Sequence, residues 1–139
     1  MRRIKFKGEK LTDLVGYLYT AYGESPTTRA NTIITINGRK IGFFVFEKYY
    51  ARNMRTTSCS ILYFQHDQDT CEILVVGAAG SGGLFDIDWW SKSSIESMTR
   101  KDIIRYAVEN LKLKKIEDIE IKVEGAYRSD RTYPHFHIR

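Results

Sequence analysis

His135-Phe136-His137 sets two imidazoles two residues apart, which on a strand puts both on one side and suits a transition metal. The third ligand would come from His66, Asp67 or Asp69, if that turn approaches the pair. Asp86 and Asp88 share the same spacing beside Trp89-Trp90. Paired carboxylates do acid–base work only where their surroundings separate their pKa values. Ile87 between them would be the inward side chain of a strand, leaving both aspartates on its wet side. Gly77 to Gly83, ending in Gly80-Ser81-Gly82-Gly83, could cradle an anion on successive backbone N–H groups. It lacks the Gly-Lys-Ser/Thr ending of a P-loop and leads into a strand-like segment, not a helix N-terminus. A glycine-rich bend between strands is the simpler reading.

Arg2, Arg3, Lys5 and Lys7, with Arg52 and Arg55, are the cations that would contact a nucleic-acid backbone. The formal charge of +5 is uneven: residues 1–57 carry a net +7, residues 58–99 a net −5 and residues 100–139 a net +3. A solvated surface of mixed sign accounts for this more simply than a polyanion footprint. Three histidines in no nucleophile motif give no Ser-His-Asp or Cys-His arrangement. No catalytic residue and no cofactor is expected. The function class read from these residues is a non-enzymatic binding or protein-interaction domain that self-associates. A basic nucleic-acid-binding module is the alternative, and a metal-dependent enzyme using His135 and His137 is the second alternative.

The elements that position these residues fit one domain of 139 residues, with 42% apolar and 28% charged residues. No apolar run approaches the ~18 residues of a membrane span. Glu9, Lys10 and Asp13 interrupt any leader-like stretch, and only two cysteines are present, so a cytoplasmic protein with free thiols is expected.

Arg2 to Lys7 alternates apolar and basic residues and reads as an edge strand guarded by its lysines. From Lys10 to Tyr22, Leu11, Leu14, Val15, Leu18 and Tyr22 form the single stripe of an amphipathic helix, with Gly16 as a point of close packing on a sheet. Asn37-Gly38 predicts a two-residue hairpin that pairs Ile36 with Arg39, Ile34 with Ile41 and Thr32 with Phe43. Further strands follow over residues 40–50, 56–64 and 70–78. A turn centred on Asp67-Gln68 would oppose Leu62 to Ile73 and keep Cys59 and Cys71 about five rungs apart, far beyond disulfide reach. Ser93 with Glu96, or Thr99 with Asp102, would cap a second helix running to Leu113. Ile116 to Glu124 alternates as a strand, and residues 126–139 form a peripheral C-terminal hairpin or tail.

This is an α+β domain: an antiparallel β-meander of five to six strands with two amphipathic helices. Phe44-Val45-Phe46-Glu47-Lys48-Tyr49 and Gly80-Ser81-Gly82-Gly83-Leu84-Phe85 resemble motifs in a group of small, functionally uncharacterised bacterial α+β proteins. The resemblance covers roughly residues 40–110 and implies a fold and no activity. Apolar side chains on both sides of the strands (Phe43 with Phe44, Ile61 with Leu62, Ile73 with Leu74) exceed what two helices can cover. A homodimer or larger assembly is therefore expected.

Overall fold

The computed structural model describes residues 1–50, 55–79 and 88–121. Asn37 and Gly38 hold φ of 50° and 74°, the left-handed pair that a two-residue type I′ turn requires. This turn joins β2 (Thr28–Ile36) to β3 (Arg39–Tyr50) in the expected register, with Ile34 opposite Ile41 and Thr32 opposite Phe43. β4 (Arg55–Gln65) and β5 (Thr70–Ala79) continue the meander, but their register differs by one residue from the expected one. Leu62 opposes Leu74, not Ile73. The turn explains the offset. Asp67 Oδ1 accepts the backbone N–H groups of Asp69 and Thr70 at 3.0 and 2.8 Å, while the His66 N–H donates to the Thr70 carbonyl at 3.0 Å. Three residues cross the end instead of two, so Ile61, Tyr63, Ile73 and Val75 share one face while Leu62 and Leu74 share the other.

β1 (Arg2–Lys7) is not the expected edge strand. It lies between β5 and β6 (Lys114–Glu120), antiparallel to both, in the six-stranded order β2-β3-β4-β5-β1-β6. Ile4 and Phe6 have no exposed surface, which a position with neighbours on both sides provides.

α1 (Leu11–Leu18) buries Leu11, Leu14, Val15 and Leu18, then widens into a π-helical turn over Tyr19–Gly23. Gly16 is exposed, contrary to expectation, and the close approach falls at Gly42 of β3. A Cβ there would lie 3.0 Å from the Phe44 ring and 3.4 Å from Val15. α2 (Asp88–Arg105) starts earlier than either expected cap and includes Asp88, which the spacing places on a strand, together with Trp89 and Trp90. One residue of each expected cap serves the core instead. Thr99 is buried and accepts the Cys59 thiol at 3.8 Å, and Glu96 accepts the Gly77 N–H at 2.8 Å. The helix then passes into a π-helical turn over Tyr106–Asn110.

Both helices lie on the same face of the sheet: one core cluster joins Leu14 and Leu18 of α1 and Ile95 and Ile103 of α2 to Phe44, Tyr63 and Ile73. The α+β class and the antiparallel sheet stand as the sequence predicts. Among the described residues no helix is long and apolar enough to cross a membrane. The expected C-terminal hairpin lies outside the described residues.

Cys59 and Cys71 are free and buried, and burial pushes each thiol up to about 12. A disulfide-forming thiol reagent at pH 8 should therefore label neither cysteine in the native chain and both in denaturant, with no mass loss of about 2 Da beforehand. The turn after α2 yields a second expectation. Lys112 holds φ of 56° while the Leu113 N–H bonds the Ala107 carbonyl at 3.0 Å, a helix stop that favours glycine. Lys112→Gly should raise stability by about 0.5–1 kcal/mol in urea unfolding.

Candidate interaction surface

Strand periodicity divides the sheet into two unlike faces. Phe44, Ile61, Tyr63, Ile73 and Ile4 turn toward the helices and have no exposed surface. On the opposite face the register lines up Thr32, Phe43, Leu62, Leu74, Arg3 and Ile119 in one row, and Ile34, Ile41, Phe64, Glu72, Lys5 and Glu117 in the next. Among the described residues no helix covers this face. Phe43 and Phe64 are each 39% exposed, and Ile34 and Ile36 47% and 52%. Ile41, Val45, Leu62, Leu74 and Val76 are half-buried beside them. With strands ~4.8 Å apart and same-face residues ~6.7 Å apart along a strand, β2 to β5 carry an apolar patch of a few hundred Å².

The β1–β6 side of this face is charged but internally neutralised. Arg3 Nε lies 3.5 Å from Glu72 and 3.2 Å from Glu117, and Lys5 Nζ lies 3.4 Å from Glu117. The hydrogen bond from Arg3 holds the Glu117 carboxyl below the usual carboxylate range. His66 Nε2 lies 2.7 Å from Glu72, and its ring sits 5.0 Å from that of Phe64. Two cations, Arg3 and Lys5, thus meet two carboxylates. The face carries little net field.

On the helix side, Asp118 of β6 ties the sheet to α2. Arg100 embraces it with two nitrogens, the Nε at 2.7 Å, and Lys115 and Arg2 approach at 3.2 and 3.4 Å. The Arg100 hydrogen bonds depress the Asp118 carboxyl to about 2. Beside this cluster runs a groove of about 720 Å³ between α2 and β6. Ile104, Val108 and Leu113 floor it, and Lys101, Arg105 and Lys114 stand on its rim.

The residues singled out from sequence fare unequally. Arg2, Arg3 and Lys5 come together on β1, where carboxylates of β5 and β6 pair with them, and Lys7 reaches Asp69 at 3.8 Å. Arg55 opens β4, while Arg52 lies outside the described residues. Gly80, Ser81, Gly82, Gly83, Asp86, His135 and His137 also lie outside them. Asp88 is helical, so it does not share a strand face with Asp86. Asp67 closes the β4–β5 turn, its carboxyl held low chiefly by the Thr70 hydroxyl. Among the described residues no three His, Cys, Asp or Glu side chains are grouped to hold a metal. Sequence reasoning missed the Arg100–Asp118 pair because its partners sit on different elements, 18 positions apart, with no local pattern linking them.

A family model described as "Family of unknown function (DUF6054)" matches residues 9–107, which span α1 through α2. That is well over half of the 139 residues, and the chain belongs to this family. No curated protein and no solved structure matches it.

The depressed Asp118 carboxyl has a pH consequence. Its stabilising effect is present above the ordinary aspartate pKa of about 4 and is lost as the pH falls through its folded value of about 2. Asp118→Asn should flatten the fall of Tm across this window and cost about 1–3 kcal/mol at pH 7, because it leaves Arg100 without its anion. Thermal unfolding between pH 2 and pH 7 checks both.

Proposed function

We propose that this member of DUF6054 is a non-enzymatic interaction domain that assembles with copies of itself through the sheet face that no described helix covers. One observation carries the reading: among the described residues the face bearing Phe43, Leu62, Phe64 and Leu74 is apolar and lies under no helix, while both described helices are committed to the other. The largest apolar patch of a soluble protein, when it reaches a few hundred Å², is often a binding surface. A second copy fits because like charges would not confront each other: Arg3 and Lys5 are already matched by Glu72 and Glu117 within each chain. Two such sheets can pack face to face about 10 Å apart, side chain against side chain. A two-fold axis closes the pair and leaves no open chain of contacts.

The α2–β6 groove favours a second reading, a basic nucleic-acid-binding module. Its cations are Arg100, Lys101, Arg105, Lys114 and Lys115, and among the described residues Lys101 and Lys114 have no carboxylate within ion-pair distance. The N-terminal cations support this reading less, because their charge is met inside the fold.

Light scattering at micromolar concentration should give at least twice the 16.2 kDa chain mass. Phe43→Lys should halve the assembled mass with an unchanged far-ultraviolet spectrum. Weakening of tenfold or more, about 1.4 kcal/mol, is expected when a buried contact is exchanged for a charge. A wild-type mass of 16.2 kDa would mean that another part of the same chain covers the face, and self-association would be discarded. Salt-dependent binding of short single-stranded RNA, lost in Lys101→Glu/Lys114→Glu, would support the second reading.

A further inference from the structure

The sheet has two edges, and they are built differently. In β6 five of the seven residues are charged, the usual guard against pairing with another chain. β2 lacks that guard. Its cation Arg29 is at the start and is paired with Glu47 at 3.0 Å. From Ala30 to Ile36 the strand has no charge, proline or glycine and is rich in β-branched residues. It is exposed from Arg29 onward, and its one register irregularity falls before Ala30. Among the described residues nothing pairs with its outer edge.

The hairpin turn determines which backbone groups are free. A two-residue turn makes Ile36 and Arg39 a hydrogen-bonded pair, and such pairs alternate along an antiparallel ladder. Ile36, Ile34 and Thr32 therefore direct N–H and C=O toward β3, while Thr35, Ile33 and Asn31 direct theirs outward.

We propose that the β2 edge is a second self-association site, pairing antiparallel with β2 of another copy about a two-fold axis at Ile33. This register sets Ile33 against Ile33 and Asn31 against Thr35, so the three outward residues of each chain meet in bonded pairs and form about six hydrogen bonds. A slip of one residue would oppose outward groups to inward ones and form none. On the open face Thr32 meets Ile34, and Ala30 meets Ile36, with no charge opposed to charge. The two apolar faces then lie side by side on one continuous sheet, with Ile34 and Ile36 at the seam. Edge pairing stands by itself. The tetramer it makes with face-to-face packing rests on the function proposed above.

Ile33→Pro separates the two surfaces. Its ring replaces an outward N–H, so it removes no bond to β3. Light scattering should give four times the 16.2 kDa chain mass for the wild type, twice for Ile33→Pro, twice for Phe43→Lys and the single mass for the double variant. An Ile33→Pro chain with native circular dichroism and the wild-type mass would overturn edge pairing. An unchanged mass for Phe43→Lys would overturn the face reading alone. Should Ile33→Pro fail to fold, amide exchange of the wild type decides. Asn31, Ile33 and Thr35 should exchange about a hundredfold more slowly in the assembly than after dilution to the single chain. Fast exchange at these three amides, with Thr32, Ile34 and Ile36 protected, would overturn the proposal.

Discussion

A helix with its side chains is about 10 Å across and covers roughly two strands spaced ~4.8 Å apart. The two helices of the described residues cannot cover both sides of their six-stranded sheet, and both are spent on one. That side is dry: Ile4, Phe44, Ile61, Tyr63 and Ile73 have no exposed surface. Gly42 lets α1 settle closely, since any side chain there would strike the Phe44 ring. Tyr17 and Tyr106 stack at 3.9 Å between the two helical segments and join the layer into one unit. Among the described residues this asymmetry leaves the apolar face of β2 to β5 without a helix over it.

Charge is arranged to serve the same packing. β1 is the most basic strand, and it is held between two strands that carry the matching carboxylates, Glu72 on one side and Glu117, Asp118 and Glu120 on the other. A solvated basic arm would have been free to bind phosphate. Placed inside the sheet, it welds β6 to the meander and, through Asp118, anchors α2 by Arg100. Such pairs stabilise a protein only modestly where water reaches them, but they set which strands lie side by side.

Much of the fold was legible in the sequence because it was locally encoded. Asn37-Gly38 specifies one turn geometry, and the 3.6-residue stripe of Leu11, Leu14, Val15 and Leu18 specifies one helix face. The β4–β5 register was not legible, because Asp67 accepting from Asp69 and Thr70 adds a residue to the turn. The start of α2 was misread for a related reason. Ser93 with Glu96, and Thr99 with Asp102, have capping spacing, yet Glu96 and Thr99 find their partners in Gly77 and Cys59 of the sheet beneath the helix. Tertiary partners outbid local ones there.

The sequence by itself determined that strands with apolar residues on both sides must outnumber the helices available to cover them. That conclusion needs only periodicity and counting. Only the tertiary structure decided which side the helices take, since a one-residue change in register exchanges the faces. It alone decided that β1 lies inside the sheet and β2 at its edge, because strand order is fixed by contacts between distant segments such as Ile4 with Ile73 and Asp118. Strand identity is written along the chain. Strand neighbours are chosen by burial of Ile4 and Phe6 and by the carboxylates that meet Arg2 and Arg3, and no local pattern records either.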